Sequence, residues 1–177
     1  SRGRRPPRTS PPMSATTAEL YADLDEELAA TRRVLERVPF EHWTWKPHER
    51  SFSLGQLATH LAELPRFAEV MATTEELDMA AGWDAPSVVG SREELLALFD
   101  GRAASMRRVV GELDEARLAG RWRLRMGEAV FLDATRARLL RQHGISHPVH
   151  HRAQLTVYLR LLGVPVPGLY GPSADDR

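Results

Sequence analysis

Apolar side chains recur along this chain mostly at intervals of three, four and seven residues, the period of amphipathic helices. Over residues 15–38 the pattern is Leu20, Leu24, Leu28, Leu35 and Val38, with Glu19, Asp23, Glu26, Arg33 and Glu36 between them, and it predicts a first helix that Pro39 stops. Residues 40–50, FEHWTWKPHER, read as a polar-aromatic loop in which Pro47 pushes Lys46 out of helical conformation. Ser53 with Gln56 forms a capping-box pattern ahead of Leu54, Leu57, Leu61 and Leu64, so a second helix should open at Ser53. Phe67, Val70 and Met71 continue its stripe beyond Pro65, which is expected to kink the helix rather than end it.

Residues 82–90, GWDAPSVVG, read as a loop, and Ser91 with Glu94 repeats the capping-box pattern. Leu95, Leu98, Phe99, Met106, Val109 and Leu113 then predict a third helix running to about Glu115. The stretch WRLRM, Gly127 and AVFL, within residues 120–132, is expected to form a short hairpin or an irregular crossover. A fourth helix over residues 135–162 follows, with Leu140, His143, His147, His151, Leu155, Tyr158 and Leu162 on one stripe, ended by Gly163 and Pro165. Gly144 and Pro148 interrupt it and predict a kink or fresh start near Ser146. Four long helical segments without a repeat point to an all-α, antiparallel four-helix bundle, with longer connections after the first and third helices.

Composition narrows the chemistry. With 177 residues, 42% of them hydrophobic and 27% charged, one globular domain is expected over residues 13–177. There is no Cys, so disulfides, thiolate metal sites and cysteine nucleophiles are excluded; any metal must use His and carboxylates. No apolar run approaches the ~18 residues of a membrane span. The net charge of +0 hides an asymmetry, because Arg2, Arg4, Arg5 and Arg8 lie among four prolines in residues 1–12 with no acid. That segment reads as a disordered tail ahead of Met13, or as an Arg-rich targeting arm. Without it 20 basic residues face 24 acidic ones, a net of −4, which makes a nucleic-acid partner an unfavoured reading.

Three of the seven histidines fall in HPVHH, residues 147–151. His147 and His151 are four apart and share one helix face, whereas His150 points away. His60 sits between Leu57 and Leu64 on the apolar face of the second helix, where a polar ring needs a partner to offset its desolvation. A zinc-type catalytic centre uses three protein ligands and an open position, so these three histidines form a candidate site. Hydrogen-bonded core histidines are the alternative. Glu63, one turn after His60, is the carboxylate placed to orient a ligand imidazole or act as general base, with a solvated helix residue as its alternative. Trp43, Trp45, His48 and Tyr170 are candidates for a substrate pocket or for covering the core. Arg152 and Arg160 are candidates for binding a substrate carboxylate, with surface solvation the default, and Asp25, Glu26 and Glu27 read as a solvated face. No phosphate-cradling glycine loop, H-E-x-x-H motif or nucleophile elbow is present.

Two separated segments, SFSLGQLATHLAEL (residues 51–64, preceded by WTWKPHER) and HPVHHRAQLTVYLRLLGVPVPGLYGPSADD (residues 147–176), resemble the DinB superfamily of damage-inducible bundle proteins. The resemblance covers nearly everything from Met13 onward. It implies a four-helix bundle, commonly dimeric, that holds a divalent ion through one His of the second helix and two of the fourth, which are His60, His147 and His151 here. It also implies a range of reactions, among them metal-dependent thiol transfer with low-molecular-weight thiols, and members with no known reaction. Ser146, Pro148 and Ala153 depart from the family's usual Asn-His-x-x-His-His-Arg-Gly-Gln, and Pro148 removes a backbone donor between two of the ligands, a strain that side-chain-free Gly144 is placed to relieve.

The reading that follows is a cytoplasmic, homodimeric metal-dependent enzyme, a transferase or hydrolase, with zinc or nickel at the site and a small molecule as substrate. A non-catalytic stress-associated dimeric bundle with a structural ion is the alternative, and His48 or His143 would then serve as a fourth ligand.

Overall fold

The computed structural model describes residues 19, 21–83 and 86–176; the Arg/Pro-rich tail of residues 1–12, the opening of the expected first helix at residues 15–18, and Leu20 lie outside them. Its principal elements are helix α1 (Leu24–Leu35), helix α2 (Leu54–Thr73), strand β1 (Glu76–Asp78), helix α3 (Arg92–Gly111), the short helix α4 (Glu115–Ala119), strands β2 (Arg121–Met126) and β3 (Ala129–Thr135), and a final helical run. That run comprises α5 (Arg136–Leu140), a π-helical turn (Arg141–Ser146) and α6 (His147–Leu161).

Helix α1 packs against α3 and α6, and α2 packs against the same two, so the four long helical segments surround one core. Val34, Leu35, Leu54, Leu57, Leu61, Leu95, Phe99, Met106, Leu155 and Leu159 fill it, each 2% exposed or less. The connection over residues 36–53 joins α1 to α2, which do not share a principal packing face, so a tight turn cannot serve.

Helix α2 opens as its sequence dictates. Ser53 Oγ accepts from the Gln56 backbone N–H at 3.1 Å, and the Gln56 side chain accepts from the Ser53 N–H at 2.8 Å. Two further first-turn donors, the N–H groups of Leu54 and Gly55, bond to the carbonyls of Trp45 and Trp43, each at 2.8 Å. The aromatic loop is therefore a lid on the helix N-terminus, and Trp43 lies flat against Gly55. Ser91 also caps α3, but Glu94 accepts from Gly90 N–H rather than closing a reciprocal box.

Two expectations are corrected. The protein is not all-α: the expected hairpin forms, with Arg121 opposite Thr135 and Met126 opposite Ala129, and β1 adds to β2 in parallel to complete a three-stranded sheet in the order β1-β2-β3. Three residues of strand, without alternation and paired in parallel across a long connection, carry no local signal. Long connections also follow α2, over residues 74–91, and not only the first and third helices. β1 lies within that segment and is held by Arg125, which bonds Glu76 and Asp78.

Helical boundaries differ in smaller ways. Pro65 lies inside α2, which continues to Thr73. The third helix stops at Gly111 and α4 starts separately, capped by Asp114. Near Ser146 the expected interruption takes the form of a π turn: Ser146 and His147 keep right-handed helical angles, and α-helical bonding resumes at His147 with Pro148 in its first turn.

The close approach of Trp43 to Gly55 yields a test. A Cβ at residue 55 would lie 2.3 Å from the Trp43 ring. Gly55→Ala should therefore destabilise the protein by about 1–3 kcal/mol in urea unfolding, although alanine is the better helix former. A neutral or stabilising effect would contradict this packing.

Candidate metal centre

The second helix presents His60 on its half-buried face, and α6 presents His147 and His151 one turn apart. The π turn and α6 both pack on α2, which brings the three rings together. One nitrogen of each lies within 4.8 Å of the others, and among the described residues this is the one such group of three or more His, Cys, Asp or Glu. The ring centroids of His60 and His151 are 4.6 Å apart at 88°, and those of His60 and His147 5.6 Å apart at 61°.

Proton positions follow from the neighbours. The Gln154 side-chain oxygen lies 2.8 Å from His151 Nδ1 and accepts its proton, which leaves Nε2 of the neutral ring as a lone pair. That Nε2 is 2.8 Å from His147 Nε2. Burial lowers the pKa of all three imidazoles, and the neighbouring rings add to it at His60 and His147. His147 is pushed down to about 4. Glu63 opposes the shift at His60. At neutral pH the cluster is therefore a set of uncharged nitrogen donors.

These donors fit a divalent ion. Zinc–nitrogen bonds of about 2.0–2.1 Å in a tetrahedral arrangement place ligand nitrogens about 3.4 Å apart. The cluster spans from 2.8 Å to within 4.8 Å, so sub-ångström to ångström side-chain adjustments suffice. Buried Nδ1 of His147 has no hydrogen-bond partner among the described residues, nor has buried Nε2 of His143.

The ring of His143, on the same stripe, lies 5.8 Å from that of His147 and 5.7 Å from that of Phe67. The π turn keeps it beside the site while its nitrogens stay outside the three-donor group. His48 is exposed, and its Nδ1 accepts from Arg50 N–H.

His60 and His147 line a cavity of about 630 Å³ with Trp43, Phe52, Phe67 and Trp83 among its walls. Glu63 lines it too, accepting from the Ser87 hydroxyl and lying 3.7 Å from an Arg102 nitrogen. Of the other aromatic candidates, Trp45 packs edge-on against Tyr158 and Tyr170 bonds Glu27, both away from the cavity lining. Phe67, Leu77 and Trp83 were missed; only Phe67 had left a trace, as part of the stripe beyond Pro65. Arg152 is neither a substrate ligand nor solvated: it is 1% exposed and bonds the Glu27 carboxylate, the Glu27 carbonyl, Thr31 and Tyr170. Glu27 accordingly leaves the solvated face assigned to it. Arg160 pairs with Asp175 at the surface.

Comparison with known proteins agrees with this architecture. The crystal structure of a DinB-like protein of Bacillus subtilis, YjoA, superposes with a TM-score of 0.66 at 20% identity, covering 87% of this chain and 99% of that one, a likeness of fold. A stretch of 32 residues, 18% of this chain, is 50% identical to the uncharacterized protein YrdA of Bacillus subtilis (strain 168) and spans about a fifth of that protein's length, 19%. The DinB family model matches residues 13–177, which take in both histidine-bearing helices and the hairpin between them, and the chain belongs to the DinB family.

Proposed function

We propose that His60, His147 and His151 hold a divalent cation, zinc or nickel, and that the protein is a metal-dependent enzyme acting on a small molecule by transfer or hydrolysis. The observation that carries this reading is the convergence of three neutral imidazoles from two helices within 4.8 Å, two of them lining a cavity. A cation bound there supplies a Lewis acid that activates water near neutral pH or takes up a thiolate. Gln154 fixes the tautomer of His151 so that its free lone pair is Nε2.

Three donors without a fourth among the described residues match the ligand count of catalytic rather than closed structural sites. That favours the enzymatic reading over a structural ion, for which His48 and His143 were the candidate fourth ligands. Glu63 takes the role of general base: its carboxylate faces the cavity one turn from His60, and Ser87 and Arg102 hold it there. A homodimer and a low-molecular-weight thiol as co-substrate are taken into this reading from the family resemblance alone.

Protein purified without an affinity tag should carry close to one equivalent of zinc or nickel by elemental analysis. His60→Ala, and His147→Ala with His151→Ala, should each lose it while keeping the helical circular dichroism of the wild type. A wild type that carries no metal and takes none up would contradict the proposal.

The depressed imidazoles also set a pH dependence. Below its ordinary value of 6.5 an unfolded His147 binds a proton that the folded ring refuses until about pH 4. Unfolding thus takes up protons, and the stability of chelator-treated protein should fall as pH drops from 7 to 5, where most carboxylates are still ionised. His147→Gln should make that slope shallower in urea titrations, and an unchanged slope would count against a desolvated neutral ring.

A further inference from the structure

We infer that the molecule handled at this site has a predominantly apolar body, alkyl or aryl, with one metal-binding head group at the imidazole end. The head group rests on the metal reading above, whereas the body rests on the cavity alone.

The cavity, about 630 Å³, is in the range that encloses a small organic ligand. Its walls include Trp43, Phe52, Phe67, Leu77, Trp83 and Val89. The Phe67 and Trp83 rings meet edge to face at 6.1 Å, and Phe52 lies 5.9 Å from His60, so apolar surface continues from the imidazoles to the partly exposed rim at Met79 and Trp83.

Apart from Thr59 and the imidazoles, the polar side chains on the same walls are already engaged. Ser53 and Gln56 are committed to each other in the capping box. Ser87 donates to Glu63, whose other oxygen faces Arg102. The Arg66 guanidinium sits 4.6 Å above the Trp83 ring. A sugar, polyol or peptide body would exchange its water partners for hydrocarbon and aromatic faces and leave its hydroxyls or amides unpaired. An alkyl or aryl body loses no hydrogen bonds and gains affinity with each methylene buried, about fourfold per group.

Isothermal titration calorimetry of full-length, metal-loaded protein tests this with straight-chain alkanehydroxamates of four to ten carbons and the matching 1-alkanols, which lack the metal-binding head. The expected result is tighter binding by about fourfold per methylene in both series until the cavity is filled. The hydroxamates should keep a constant advantage that chelation removes. Trp83→Ala and Met79→Glu, changes at the partly exposed rim, should weaken octanehydroxamate severalfold without changing metal content.

Affinity that is flat with chain length would overturn the inference even with metal bound. So would a hydroxyl-rich gluconohydroxamate that binds as tightly as octanehydroxamate. Chain-length dependence in both series with no hydroxamate advantage would overturn the head group and leave the apolar body standing, whereas protein that takes up no metal but still binds the alkanols in order of length would overturn the metal reading alone.

Discussion

Arg136 and Arg152 bury their guanidinium groups to 1% exposure, and the placement of the last helical run depends on how those charges are paired. An interior charge is tolerable only when its donors are met. Arg136 bonds the carbonyls of Met71, Thr74 and Arg117 and the carboxylate of Glu75, so it closes the C-terminal end of α2, where carbonyls lack helical partners and the dipole is negative. Arg152 instead ties the last helix to the side of α1 through Glu27 and Thr31, and Tyr170 brings in the C-terminal tail. The acceptors lie on several elements, so the segment from 136 to 152 cannot slide or rotate without stranding a charge.

His147 and His151 lie inside that clamped segment, which is why their faces are held towards His60. The π turn belongs to the same arrangement. It lets the helix pass a proline in the first turn of α6 and keeps His143 edge-on beside His147. Desolvation then makes the imidazoles neutral donors rather than cations, the state a metal requires. Placement and protonation have one origin, the packing of this segment on α1 and α2.

Much of this was legible in the sequence, because it is written in local periods. The Ser53–Gln56 box, the helix stripes, the end at Gly163 and the shared face of His147 and His151 all follow from spacings of three, four or seven. His60 was legible as a polar residue on an apolar stripe. What escaped depends on distant partners. Nothing local separates buried Arg136 and Arg152 from surface arginines in a chain whose basic residues are nearly all Arg, and Glu27 changes from solvated to half-buried through two distant partners, Arg152 and Tyr170. The three-residue β1 exists because Arg125 and β2 receive it. The cavity joins Trp43, Phe67, Leu77 and Trp83 from separate connections and helices, and of these only Trp43 was a pocket candidate.

Cobalt(II) substitution tests the central claim most directly, that three neutral imidazoles form an open metal centre at the cavity. One equivalent added to chelator-treated protein should give visible ligand-field bands of four- or five-coordinate nitrogen ligation, which shift when a small thiol or hydroxamate is added and vanish in His151→Ala. Absence of uptake, or a weak six-coordinate spectrum that neither the added ligand nor the substitution changes, would contradict it.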